Sequence, residues 1–262
     1  MLGQSDLSLL PYGMVDDIQI YFGGASMALN SGGIGGIINL ETKPVWKKET
    51  LLTLNPGIGS FGRYTGLVAV KTGTINFQTV TKAFIQSSEN NFRYLNTEIS
   101  HIPVWETRKN SQVLQQGFIQ ELYYRKSKNV ASARIWYQSA YRNLPSSMLT
   151  QQPGSNENQF DESIRVMLNY DINKERGNSF ITGAWMMNRL NYTNRLASID
   201  SRNLSDILTM KGGMDKRIGE STKVKVVLTE ELNVMKSNNY DNNVTRIPTT
   251  LTASDEYKCA ER

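Results

Sequence analysis

From about residue 50 onward, polar and apolar residues of this chain alternate one by one, and no stretch of any length keeps helical spacing. In the clearest run, Ile164, Val166, Leu168, Tyr170 and Ile172 share one face of an extended strand, while Arg165, Asn169 and Asp171 share the other. A second run sets Val224, Val226, Leu228, Leu232 and Val234 against Lys223, Lys225, Thr229, Glu231 and Asn233, with Glu230 as the one break. A third sets Ala131, Ala133, Ile135, Tyr137 and Tyr141 against Ser132, Arg134, Gln138 and Arg142, with Trp136 as its exception. Less regular strands are expected over 50–57, 63–71, 75–87, 111–125, 179–192 and 204–216.

The connections alternate in length. Short ones fall at 71–74, 126–129, 173–178 and 217–221, and long polar ones at about 88–107, 143–158, 193–203 and from 236 onward. An antiparallel meander places every second connection at the same end, so one end of the sheet is trimmed and the other elaborated. Several strands reach 12–16 residues between turn signals, beyond the ~5–6 usual in globular sheets and beyond the ~9–11 that cross a bilayer when tilted. Both features fit a transmembrane β-barrel. Its lumen would hydrate Arg134, Gln138, Arg165, Asn169, Asp171, Lys223, Lys225 and Glu231, and Tyr123, Tyr124, Tyr137, Tyr141, Tyr170 and Trp185 would supply interfacial girdles. A soluble antiparallel sheet also alternates, and the two readings separate on the outward face, which is lipid-compatible in one and polar in the other.

Composition removes other classes. The 262 residues carry 29 Lys+Arg against 24 Asp+Glu, a mild net +5, and the basic residues are dispersed among acids and Asn, so nucleic-acid binding is not expected. The longest apolar run, with Gly counted, is the seven residues Gly32 to Ile38, which excludes a membrane-spanning helix. One cysteine, Cys259, permits neither an intrachain disulfide nor a cysteine metal cage, and one histidine, His101, permits no histidine cluster. The adjacent acids Asp16-Asp17 and Glu230-Glu231 point to opposite faces of a strand and read as solvated, so no enzyme, metal or cofactor chemistry is expected.

The first 45 residues differ: two short strands flank a glycine-dense turn with six glycines in 14 residues. No Gly-x-x-x-x-Gly-Lys-Ser/Thr pattern is present, and the glycines lead into Ile37-Ile38-Asn39-Leu40, a strand rather than a phosphate-binding helix start. The segment Asp16–Pro44, DDIQIYFGGASMALNSGGIGGIINLETKP, resembles the end of the plug domain of TonB-dependent outer-membrane receptors. The likeness is carried by Ile18, Gly23, Gly24, Ala25, Ser26, Leu29, Gly32, Gly33, Ile34, Gly35, Gly36, Ile38, Asn39, Thr42 and Lys43, while Tyr21-Phe22 and Asn30 depart from the pattern. More weakly, Ser88–Asn96 is similar to the first long extracellular segment of the cobalamin- and siderophore-type branch, and Tyr141–Met148 to a later strand-to-loop junction.

This resemblance implies an all-β protein: residues 1–45 as the C-terminal part of a plug, and 46–262 as about nine or ten strands of an incomplete antiparallel barrel of roughly twenty-two. It implies a location in the bacterial outer membrane among outer-membrane lipid, and uptake of a scarce small-molecule nutrient powered through TonB. The TonB-binding segment, the signal peptide, most of the plug and the later strands would then lie outside the sequence, and the piece alone would not form a functional pore. The glycine motif is expected to be structural, and Asn91, Phe92, Arg93 and Tyr94 are the candidate ligand-contact residues. The alternative from another class is a soluble or surface-displayed β-sheet adhesin or carbohydrate-binding module.

Overall fold

The computed structural model describes residues 13–22, 36–98, 102–146, 157–219 and 222–257. Two strands, β1 (Asp17–Phe22) and β2 (Gly36–Glu41), pair as an antiparallel hairpin. The large sheet follows: β3 (Glu49–Gly59), β4 (Arg63–Gly73), β5 (Phe77–Ser88), β8 (Val113–Lys126), β9 (Asn129–Asn143), β10 (Asn158–Lys174), β11 (Gly177–Asn194), β12 (Ile199–Ile218) and β13 (Thr222–Ser237), each antiparallel to the one before it. A small hairpin, β6 (Arg93–Asn96) with β7 (Val104–Thr107), is inserted between β5 and β8.

β14 (Val244–Arg246) and β15 (Thr249–Tyr257) both pair with the free edge of β13. Their register is continuous: Asn233 faces Arg246 and Glu230 faces Thr249, so each pair sums to 479. They are one strand, interrupted at Ile247-Pro248 where proline has no N–H to give to the ladder; Glu231 N donates instead to Pro248 O at 3.1 Å. The sheet therefore has ten strand positions, in agreement with the sequence reading. Among the described residues it stays open, with β3 at one edge and β14–β15 at the other.

Residues directly opposite in an antiparallel ladder share a face, so the ladders assign every side chain. The face that carries the hairpin is here called inner. The outer face is apolar: Leu54, Ile85, Leu122, Ile135, Leu168, Ile181, Leu208, Leu228 and Leu251 all point to it and all are exposed, Leu168 by 59 % and Leu251 by 70 %. All three alternating runs take the faces expected of them. Of the girdle candidates Tyr123 does not: it points inward and is buried, because Tyr123 faces Gln78 while its neighbour Tyr124 faces Phe77 on the outer side.

Two outer rows set the scale of the apolar band. Near the short-turn end, Phe77, Tyr124, Ala131, Tyr170 and Ile181 lie on one ladder row. Near the long-connection end, Tyr64, Ser87, Leu114, Tyr141 and Phe160 lie on another. On β10 the rows are 170 − 160 = 10 residues apart. At ~3.3 Å per residue and a tilt near 40°, that separation spans about 25 Å, the height of an outer-membrane barrel's apolar band.

The band also slides along the strands. The row through Leu52, at the lower end of the apolar run of β3, continues through Ile135, Val166, Trp185 and Leu208 to Leu232, near the upper end of the run of β13. A band level with a membrane drifts against the hydrogen-bond rows in this way when the strands are tilted and staggered, as barrel closure requires.

Two stretches expected to be loops are paired strand. β11 and β12 zip together through Asn194 and Ile199, leaving a tight turn at 195–198, and β13 runs to Ser237. Close approach of strands needs glycine at Gly117, which lies beneath Phe84: a Cβ there would sit 2.4 Å from Tyr137 O and 2.8 Å from the Phe84 ring. Gly117→Ala is expected to destabilise the sheet by about 1–3 kcal/mol, read from denaturant midpoints, because the collision is with backbone.

Candidate functional site: the polar inner face and its hairpin

The hairpin is fastened to the inner face by residues at its open end. Met14 is fully buried against Phe84, Ile119 and Trp136, with Leu40 and Leu67 packed alongside, which makes an apolar plug-in point on a wall that mixes polar side chains with a few buried apolar ones such as Val80, Ile207 and Val227. This explains Trp136, the apolar exception on its face: it stands where Met14 lands. Everything else that fastens the hairpin is charged or hydrogen-bonded.

Asp16 sits between two lysines. Its Oδ1 is 3.1 Å from Lys71 Nζ and 3.1 Å from Lys82 Nζ, and its Oδ2 accepts from Lys43 N at 3.1 Å. Lys82, only 2 % exposed, also donates to Met14 O at 3.0 Å. Further along, the Thr42 hydroxyl donates to Glu121, Arg134 donates to both Thr42 Oγ1 and Glu121, and Tyr123 OH donates to Thr42 O at 3.3 Å. Glu121 is 1 % exposed, so its charge depends on Arg134. Trp46 meets Tyr123 edge-on at 6.5 Å and lies under Arg125, whose guanidinium carbon is 4.6 Å from the ring centroid.

Burial by itself would raise the Asp16 carboxyl, but the hydrogen bond from Lys43 N and the two lysines outweigh it and hold its pKa below the ordinary 3.8. With the folded value depressed, the stability it contributes is complete above 3.8 and is lost as pH falls through the lower, folded-state value. Hydrogen exchange across β1, corrected for intrinsic rates, is therefore expected to accelerate only below about pH 4, and Asp16→Asn should abolish that dependence. Unchanged protection down to about pH 2 would contradict the anchoring.

The sequence-derived candidates separate into two groups. Gly23, Gly24, Ala25, Ser26, Gly32, Gly33 and Gly35 lie outside the described residues, as does His101. Gly36 pairs with Phe22 at the end of the hairpin, and Asn39 donates to Glu41 Oε1 at 2.8 Å, which ties it to the strand rather than to a ligand. Asn91, Phe92, Arg93 and Tyr94 lead into the β6–β7 hairpin at the long-connection end. Asn91 is exposed there, Phe92 meets Phe61 and Tyr94 edge-on, and Arg93 stands 5.5 Å from the Trp105 ring centroid. Tyr94 OH donates to Glu106 at 2.8 Å, and that carboxylate pushes the Tyr94 phenol up.

One sequence expectation is corrected. Asp16 keeps part of its surface in solvent but is also the centre of the hairpin's ion cluster, a role the solvated reading did not include, while Asp17 lies beside Lys43 at 3.4 Å. Lys71, Lys82 and Glu121 were not singled out from the sequence. Their signal was parity: each is a charge at an inward position of an alternating strand, and each becomes a site residue only once the hairpin is placed over it.

No family model and no curated protein matches the chain. Among solved structures, the chain is similar to one titled "Copper transporter OprC", at 13 % identity and a TM-score of 0.54, over 95 % of this chain and 48 % of that one. The chain thus spans about half the length of that neighbour. The likeness is one of fold: this is an all-β chain whose large antiparallel sheet is similar to part of that β-barrel.

Proposed function

We propose that the chain forms part of a bacterial outer-membrane receptor that takes up a scarce nutrient with energy supplied through TonB, and that its first 45 residues are the end of the receptor's plug. The observation that carries this reading is the sheet's two-sidedness. A face of exposed Leu, Ile, Val and Phe about one bilayer tall backs onto a face of Gln, Lys, Arg, Asp and Glu on which a hairpin rests. A soluble adhesin or sugar-binding sheet would leave that outer face in water, where so large an apolar patch is rarely tolerated.

The hairpin seam suits a stopper that has to move. Ion pairs and hydrogen bonds separate into a hydrated lumen with little loss, because water replaces each partner, whereas an oily interface would not. Among the described residues, the Met14 cluster is what opposes release by burial of apolar surface. No step requires covalent chemistry. The substrate could be an iron chelate, cobalamin or another metal complex; the neighbour's title supports a transporter of a scarce nutrient, and the Ser88–Asn96 resemblance is what favours siderophore or cobalamin uptake. The long-connection end, with Asn91, Phe92, Arg93 and Tyr94, is the outward mouth in this reading.

Fractionation of cells that produce the protein behind a secretion signal tests the location. The chain is expected in the outer-membrane fraction and to leave it only with detergent; recovery from the soluble periplasm would refute the proposal. Uptake is tested in cells by deleting the gene: accumulation of the limiting nutrient should fall, and fall equally when TonB is removed.

A further inference from the structure

On the inner face, away from the hairpin's ion cluster, Arg165 has no counter-charge among the described residues. It lies over Trp136, its guanidinium carbon 4.7 Å from the ring centroid. Its Nη1 is buried with no partner, and so is Nε1 of Trp136, a residue 9 % exposed. The two side chains are directly paired across β9 and β10. Beside Arg165 is a cavity of about 150 Å³ lined by Gln138, Asp161, Glu162, Ser163, Arg165 and Asn188 among others; the Glu162 carboxylate is paired with Arg189 at 2.9 Å. Asp161, the nearest inward acid on the strand, is held by Arg142 at 2.7 Å.

A half-buried guanidinium without a counter-charge is costly, and two buried N–H groups without acceptors add to that cost. The arrangement is what an oxyanion needs: a planar cation for charge, an indole N–H beside it, and amide and hydroxyl side chains around a space of the right size. The geometry points to an anion-binding subsite at Arg165 and Trp136, which takes a carboxylate or phosphate group of a solute in the lumen. This rests on the lumen reading above. The site lies on the wall, β9–β11, and not on the β6–β7 hairpin that carries the sequence-derived ligand candidates.

The test is titration calorimetry of the whole chain in detergent micelles, with citrate and inorganic phosphate as probes at constant ionic strength, on samples also checked for flotation with lipid vesicles. At least one probe should bind saturably. Arg165→Gln should weaken it by about tenfold or more, as loss of a charged hydrogen-bond donor does. Arg246→Gln, the same charge change on the same face of β14, should leave it within about twofold, the scale of a distant surface charge. Ser163→Asp supplies a carboxylate from within and should also abolish binding while the chain stays folded. Binding of both probes at a single strength identifies a general oxyanion site, and a preference for one names the source. No saturable binding, or equal binding in wild type, Arg165→Gln and Ser163→Asp, overturns the proposal. Failure to float with vesicles removes the lumen reading and the site with it, while flotation without binding removes the site alone.

Discussion

Leu168→Arg is expected to destabilise the membrane-inserted protein by about 2–4 kcal/mol, the cost of a basic side chain on the lipid face near the bilayer midplane. Leu168 is the central member of the outer run Ile164, Val166, Leu168, Tyr170 and Ile172, and it is 59 % exposed. In a water-soluble sheet, arginine at so exposed a leucine would be neutral within about 0.5 kcal/mol. Asn169→Arg, one residue on, faces the polar side and should cost far less. The pair is read from unfolding midpoints in lipid vesicles. Equal effects at 168 and 169 would contradict the two-faced sheet.

Glu121→Ala is the second large expectation, at about 3 kcal/mol, because it removes a buried carboxylate and leaves the half-buried Arg134 without its counter-charge. Glu121 accepts from both Arg134 and Thr42, so its loss also frees the end of the hairpin. Trypsin should then cut faster after Lys47 and Lys48, and the double variant Glu121→Ala with Arg134→Met should recover much of the lost stability by removing the uncompensated charge. Unchanged cleavage with a loss below about 1 kcal/mol would mean that this network does not hold the hairpin.

Much of this fold was legible because a sheet with one apolar and one polar face imposes a period of two along every strand. The Ile164–Ile172 and Val224–Val234 runs fixed their faces without any structure. What parity could not settle was adjacent pairs of like residues. Tyr123 and Tyr124 must point opposite ways, and which one faces outward depends on pairing with Gln78 and Phe77. Above the apolar band the outer face turns polar, with Arg189, Asn191 and Arg202, so paired strand there has the composition of a loop, and 193–203 was read as one. The hairpin's fastening was hidden for a different reason. Asp16, Lys71, Lys82 and Glu121 are far apart in sequence, and nothing local distinguishes a charge that faces open lumen from one that faces another segment. The two short strands expected on either side of the glycines do pair, while the glycines between them lie outside the described residues, and nothing in that motif told what the hairpin touches.

Site-directed spin labelling along β10 tests the central claim most directly. With Cys259 replaced by serine and single cysteines placed from 163 to 171 in vesicle-embedded protein, collisions with oxygen, which concentrates in lipid, should peak at 164, 166, 168 and 170. Collisions with a water-soluble nickel chelate should peak out of phase, at the odd positions least covered by neighbouring side chains. If both reagents peaked at the even positions, those side chains would face water, and the account of a lipid-facing wall around a polar lumen would be wrong.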